Sequence, residues 1–341
     1  MKSVTSLMEL AIPLLMLLLP HSGAARQRTA DEPGPQSQSF HRNYQANAYI
    51  SFLSLPLFNR SNVGFGFASS AEQMKGETRT ITLRFLSGST PERAAGLNRF
   101  GFMEENVEQK DRAVVGANYF GLITSNGEES FSDAKVALQS EHRDQVPFVG
   151  AQAVIEPGRA RYSIRHMLLP SHYRGSNAEL LLERLRAEFS QPGSPDEQKT
   201  EVFHGQALGT FLYSLQQAMQ TEGAAYEGRF IYNGKIFRLH AGKRRDMKTG
   251  EELRKKGITQ AAVAITALNG NIVNEKTKES TTFRLWFESG AANFLPLRFE
   301  FKPKGYLKLV FDAEPPAPLA AMQQALSQNL NRPGVNRETR P

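Results

Sequence analysis

The chain has 341 residues, 40% of them hydrophobic and 22% charged, and a formal net charge of +7. That composition excludes a wholly disordered chain and leaves room for one large domain or two small ones. Cysteine is absent, which excludes disulfides, thiolate metal sites, cysteine nucleophiles and a lipidated-cysteine anchor. With 22 Phe and 9 Tyr but a single Trp, the aromatic surface points to apolar packing and not to a Trp-lined sugar cleft.

Met1-Lys2, an apolar run from Leu10 to Leu19, Pro20 and the small residues Ser22 to Ala25 have the layout of a secretory signal peptide over residues 1–25, cleaved near Ala25. The run is too short to span a membrane. The expected address is the periplasm or another exported location. Residues 26–45 are rich in Gln, Ser and Pro and are expected to be disordered. Residues 46–312 are expected to form an antiparallel β domain with a helical insertion at about 171–225. Residues 313–341 read as a Pro-rich tail with a short helix on Leu319, Met322 and Leu326.

Within the domain, residue patterns predict strands over Val63 to Ala68, Thr78 to Leu86, Ala113 to Ile123, Val149 to Ile155 and Tyr162 to Leu168. Ser176 with Glu179 reads as a capping box before Leu181, Leu185 and Phe189. Gln191 to Pro195 reads as a linker. Leu208, Phe211, Leu212, Leu215 and Met219 form one apolar stripe of a helix from about Gln206 to Gln220. Asn126-Gly127, Asn233-Gly234 and Asn269-Gly270 read as turns, because both residues tolerate the positive φ of a two-residue hairpin. Phe283, Leu285 and Phe287 alternate with Arg284, Trp286 and Glu288. Leu297, Phe299 and Phe301 alternate with Arg298, Glu300 and Lys302, and Leu307, Leu309 and Phe311 follow after a turn at Pro303-Lys304-Gly305. Period two over neighbouring segments predicts a meander with one apolar and one charged face. The expected fold is mainly β: a curved antiparallel sheet, a half-barrel-like meander, with two or three covering helices.

Familiar chemistry is missing from the primary structure. There is no G-x-S-x-G elbow, no H-E-x-x-H pair and no phosphate-binding loop. Gly64-Phe65-Gly66 lacks the third glycine of a dinucleotide loop and reads as relief of crowding in a bent strand. His166 and His172 have no standard metal spacing, and His204 reads as structural. Glu104-Glu105 and Glu128-Glu129 are adjacent carboxylates, which in strands face opposite ways and form no acid–base pair by spacing. No catalytic residue, metal site or cofactor is expected.

Charge is unevenly spread. From Arg26 to Ala225 the net charge is −2, whereas from Tyr226 to Asp312 it is +8. Half of that excess lies in Ala241 to Gly257. The segment reads either as a solvated loop with internal ion pairs or as a patch for an anionic surface, with Lys243, Arg244, Arg245, Lys255 and Lys256 as candidates. Nucleic acid is not an expected partner, since no basic motif is interleaved with aromatics.

The second half resembles the domain of unknown function 3108 group of secreted, β-rich bacterial proteins. The resemblance runs from Gly209-Thr210-Phe211-Leu212-Tyr213-Ser214-Leu215 through Asn233-Gly234-Lys235 and Phe283-Arg284-Leu285-Trp286-Phe287. It ends with Leu295-Pro296-Leu297-Arg298-Phe299-Glu300 and Lys304-Gly305-Tyr306-Leu307-Lys308-Leu309. It implies a half-barrel-like antiparallel sheet reminiscent of periplasmic lipoprotein carriers, and it implies no activity. The leading expectation is a non-enzymatic envelope protein that binds a lipid or other amphiphile on the concave face of its sheet, with peripheral membrane association. The alternatives are a structural protein that docks an envelope partner through a sheet edge or the basic segment, and a hydrolase with a dispersed site. A cavity large enough for an acyl chain separates the first from the second.

Overall fold

The computed structural model describes residues 38–52, 55–90, 92–94, 99–124, 145–170, 178–191, 196–204, 208–260, 263–290, 295–304 and 307–315. Fourteen strands form a single sheet: β1 (Gln38–Phe52), β2 (Leu55–Lys75), β3 (Thr78–Ser89), β4 (Phe100–Lys110), β5 (Ala113–Thr124), β6 (Gln145–Glu156) and β7 (Arg159–Pro170), then β8 (Glu197–Val202), β9 (Ala225–Tyr232), β10 (Lys235–Arg245), β11 (Ile265–Asn274), β12 (Ser280–Glu288), β13 (Arg298–Lys304) and β14 (Leu307–Ala313). Among the described residues three helices interrupt them: α1 (Ala178–Ser190), α2 (Phe211–Gln220) and α3 (Met247–Lys255). The strand order is β8-β7-β6-β5-β4-β3-β2-β1-β14-β13-β12-β11-β10-β9. Two antiparallel meanders are therefore joined through the pairing of β1 with β14, and the mainly β, curled antiparallel architecture expected from the alternating segments is what forms.

Short turns set the register. Asn233 and Gly234 take φ of 48° and 62° and connect Tyr232 to its partner Lys235, the positive-φ pair that a tight hairpin needs. Asp111 and Arg112 do the same between β4 and β5, at φ of 51° and 65°. The dipeptide Asn269-Gly270 does not turn. It lies inside β11, where Gly270 faces Phe283; a Cβ there would stand 2.1 Å from the Phe283 Cζ, so the glycine makes room for a ring. The turn that follows uses Lys278 at φ 63°.

The sheet curls so that the two meanders face each other across its concave side. Tyr119 on β5 and Tyr232 on β9 approach to 5.6 Å between ring centroids, and Phe85 on β3 meets Phe299 on β13 at 5.4 Å. Ile231 donates its backbone N–H to the Gly209 carbonyl at 3.1 Å. The inner face carries Tyr44, Phe85, Tyr119, Phe230, Phe299 and Phe311, all buried in one core, and α2 lies against it through Phe211, Leu215 and Met219. The outer face is covered twice. Helix α1 packs over β6, where a Cβ on Gly150 would clash with Met167 and Leu185. Helix α3 covers Trp286, whose Nε1 donates to Asp246 Oδ2 at 2.9 Å.

Several local expectations are corrected. The strand β1 begins at Gln38, inside the segment expected to be disordered. The helix expected from about Gln206 begins at Phe211, and the expected helical insertion contains β8. Ala241 to Gly257 is no loop: it is the end of β10 followed by α3. The face expected to be charged and solvated is partly buried under α3, where Arg298 and Asp312 are 6% and 7% exposed. Asn126-Gly127, Glu128-Glu129, His172, Ser176, the expected signal peptide, and Leu319, Met322 and Leu326 lie outside the described residues.

Candidate functional site

The inner face is not filled uniformly along β1. Alternate residues Tyr44, Ala46, Ala48 and Ile50 share that face, and the bulk collapses after Tyr44. Ala46 pairs with Phe311, Ala48 with Leu309 and Ile50 with Leu307. Beside them β2 bulges: Ala46 pairs with Gly64, but Ala48 already pairs with Arg60. The extra residues include Asn62 at φ 58°, whose N–H is taken up by Asn47 Oδ1 at 3.1 Å. Bulges re-aim side chains and recur next to binding sites. Here the bulge places Arg60 on the inner face beside Ala48.

Thr90, Arg93 and Ala94, which follow β3, roof the same region. Thr90 donates its N–H to the Val63 carbonyl at 2.8 Å, and Arg93 and Ala94 donate theirs to the Thr90 carbonyl at 2.9 and 2.8 Å. Between floor and roof lies a cavity of about 360 Å³, lined by Ala46, Ala48, Val63, Leu309 and Phe311 and rimmed by Arg60, Arg93 and Arg99. Among the described residues no carboxylate lines it. Arg60 Nη1 donates to the Arg93 carbonyl at 3.1 Å, and Arg99 Nη1 reaches the Thr124 carbonyl at 3.4 Å. Small ligands are held in apolar cavities of about 300–1,000 Å³ with a few convergent polar groups, and this one lies within that range. It gathers residues from β1, β2, the β3–β4 connection and β14, none of which the sequence reading singled out as a site. The one local signal is the shrinkage Tyr44-x-Ala46-x-Ala48 on a face that is otherwise aromatic.

A larger open groove, of about 1050 Å³, crosses β9 to β14. Several of its polar groups are mutually engaged. Lys308 pairs with Glu300 at 3.5 Å, His240 Nδ1 lies 3.7 Å from Glu227, and Arg284 donates to Asn269 Oδ1 at 2.9 Å. An open, polar and self-paired surface selects a ligand poorly, so size does not make it the candidate.

Both carboxylates of Glu104-Glu105 are buried, at 1% and 0% exposure, and they face opposite ways as strand neighbours must. On the outer face Glu104 accepts from Arg84 at 2.6 Å and from Arg186 of α1 at 3.2 Å. On the inner face Glu105 caps α2 from a distant strand. It accepts from the N–H groups of Leu212 and Tyr213, each at 3.0 Å, and from the Thr210 hydroxyl. Burial pushes its carboxyl up to about 7, while those hydrogen bonds pull it down. With its acceptors occupied and no solvent exposure, Glu105 is a structural link and not a catalytic base.

The five basic candidates separate. Lys256 bridges Asp312 at 2.7 Å and Glu252 at 3.1 Å. It belongs to a network in which Arg298 holds Glu252 in a two-pronged pair at 2.6 and 3.0 Å and Asp312 at 2.5 Å. The Arg298 hydrogen bonds hold Glu252 down at about 2. Lys243 donates to the Thr221 carbonyl. Arg244, Arg245 and Lys255 are exposed. His166 Nδ1 lies 3.0 Å from Asp196 and ties β7 to the segment that opens β8; His204 is exposed.

The chain matches no family model, and no curated protein matches it. Among solved structures it is similar to a β-barrel-like protein of domain of unknown function DUF1849 from Brucella abortus, at 8% identity and a TM-score of 0.40. That similarity covers 82% of this chain and 95% of the other.

Proposed function

We propose that this chain is an exported, non-enzymatic binding protein that holds an amphiphile in the cavity at the end of its inner face. The carrying observation is that cavity: about 360 Å³ of apolar space, kept open by small residues on a face packed elsewhere with aromatic rings. Next to it the concave face is packed against α2, so the ligand space is one end of the sheet and not its whole curvature. The order of strand motifs that resembles the domain of unknown function 3108 group supports an envelope setting, as does the signal-peptide layout of residues 1–25.

Docking through a sheet edge gains less support. The edge strand β8 reads Glu-Gln-Lys-Thr-Glu-Val and is almost wholly exposed, and charged edges oppose strand addition. Peripheral attachment to an anionic surface now rests on Arg244, Arg245 and Lys255, since Lys243 and Lys256 are held within the molecule.

The test is titration with a neutral apolar fluorophore, N-phenyl-1-naphthylamine, on the protein and on Ala48→Phe. The proposal expects saturable binding at one site that Ala48→Phe abolishes while the melting temperature holds. Absence of binding, or equal binding by both proteins, overturns it.

A further inference from the structure

We infer that the occupant of the end cavity is a single-chain amphiphile with an anionic head, the head bound by Arg60 and Arg93 and the chain laid on Ala46, Ala48 and Leu309. This deepens the proposed function and rests on it. The arrangement is asymmetric: the floor is apolar, and among the described residues the polar groups at the mouth include the guanidinium groups of Arg60 and Arg93 and no carboxylate. Among the described residues no carboxylate pairs with Arg60 or Arg93, and Glu92, although adjacent in sequence, forms no ion pair with either. Elsewhere on the molecule exposed arginines are commonly paired, as Arg229 and Arg238 are with Glu275 and Glu227. A guanidinium offers five donors in a planar fork that matches carboxylate and phosphate oxygens. The one bond from Arg60 to the Arg93 carbonyl leaves most of that fork available while fixing its direction. A cationic head meets like charge at this mouth. A neutral head forgoes the charge-assisted hydrogen bonds that make such pairs strong.

The experiment is displacement of bound N-phenyl-1-naphthylamine at pH 8 and low ionic strength by dodecanoate, by dodecanol and by acetate. Dodecanoate is expected to displace at about one tenth the concentration of dodecanol or less. Acetate, which presents the carboxylate without a chain, is expected to leave the probe in place. In Arg60→Gln/Arg93→Gln the preference for the acid should collapse to near unity with the probe still bound, and Arg60→Lys/Arg93→Lys should restore part of it. Both arginines are exposed, so neither change threatens the core, and the retained probe reports a folded site. Equal displacement by acid and alcohol in the wild type overturns the anionic head while leaving the cavity reading intact. Displacement by acetate overturns the requirement for a chain. Failure of the wild type to bind the probe overturns the proposed function and this inference together.

Discussion

Replacing Glu105 with Gln should remove a pH dependence of stability that the fold builds in. In the unfolded chain this carboxyl titrates near 4.5, and in the fold burial raises it to about 7 against the opposing pull of Thr210, Leu212, Tyr213 and Phe211. A raised folded value means the native state binds the proton more tightly. The stabilisation is complete below pH 4.5 and is lost as pH rises towards 7. A shift of about 2.5 units, at about 1.4 kcal/mol each, is on the order of 3 kcal/mol. Urea unfolding of the wild type at half-unit steps from pH 4.5 to 8 should show a decline of that order, flattening above pH 7. The decline is read as a difference from Glu105→Gln measured on the same steps, so that other titrations cancel. Among these are the lowered Glu252 and Glu275, which act with the opposite sign. Glutamine retains one acceptor for the α2 N-terminus but loses another, so the variant should start lower at acid pH by about 1–3 kcal/mol and converge with the wild type, or cross it, as pH rises. Parallel curves over the whole range would refute the raised folded value of Glu105, and a decline that continues past pH 8 without flattening would mean that the acid stays neutral in the fold.

Two further perturbations probe the packing and a third probes the basic surface. Phe299 stacks on Phe311 at 4.4 Å and meets Tyr44 and Phe85 edge-on; Phe299→Asp should cost more than about 4 kcal/mol, and a melting temperature close to the wild type's would show that β13 is misregistered. Arg298→Met should destabilise by about 2–4 kcal/mol because buried Asp312 keeps only Lys256 as its partner, whereas Arg298→Met/Asp312→Leu should recover much of that loss. Trp286 is the sole tryptophan and lies under α3, so its fluorescence reports both unfolding midpoints; equal losses in the single and double variants would contradict the buried pair. Arg244→Ser/Arg245→Ser/Lys255→Ser should reduce co-sedimentation with anionic vesicles, each charge contributing about 1 kcal/mol at most, while leaving stability unchanged; undiminished pelleting would return these residues to ordinary solvated surface.

The second meander was the more legible half because its strands alternate and its Asn233-Gly234 turn is local chemistry. The strand β4 was illegible for a physical reason. Both of its faces are covered, by α2 inside and α1 outside, so Phe100-Gly-Phe-Met-Glu-Glu shows no period of two. Its two glutamates look like solvated charge until their partners, Arg186 and the Thr210–Tyr213 turn, arrive about a hundred residues later. Asn269-Gly270 misleads in the same way. Its glycine answers to the Phe283 ring on the neighbouring strand, a demand that no local window contains. The cavity was hidden still more thoroughly. Arg60, Arg93 and Arg99 carry no spacing that marks a site, and they converge only because a bulge in β2 and the roof over Val63 bring them to one mouth.

A ligand carried by the end cavity in the cell should co-purify with the protein. Native mass spectrometry of the protein purified from the envelope of its own cell, beside Ala48→Phe prepared identically, tests it most directly. The expected result is a wild-type mass raised by one single-chain acidic amphiphile, released on collisional activation, and a bare mass for the variant. A bare mass for both, or the same adduct on both, would contradict it.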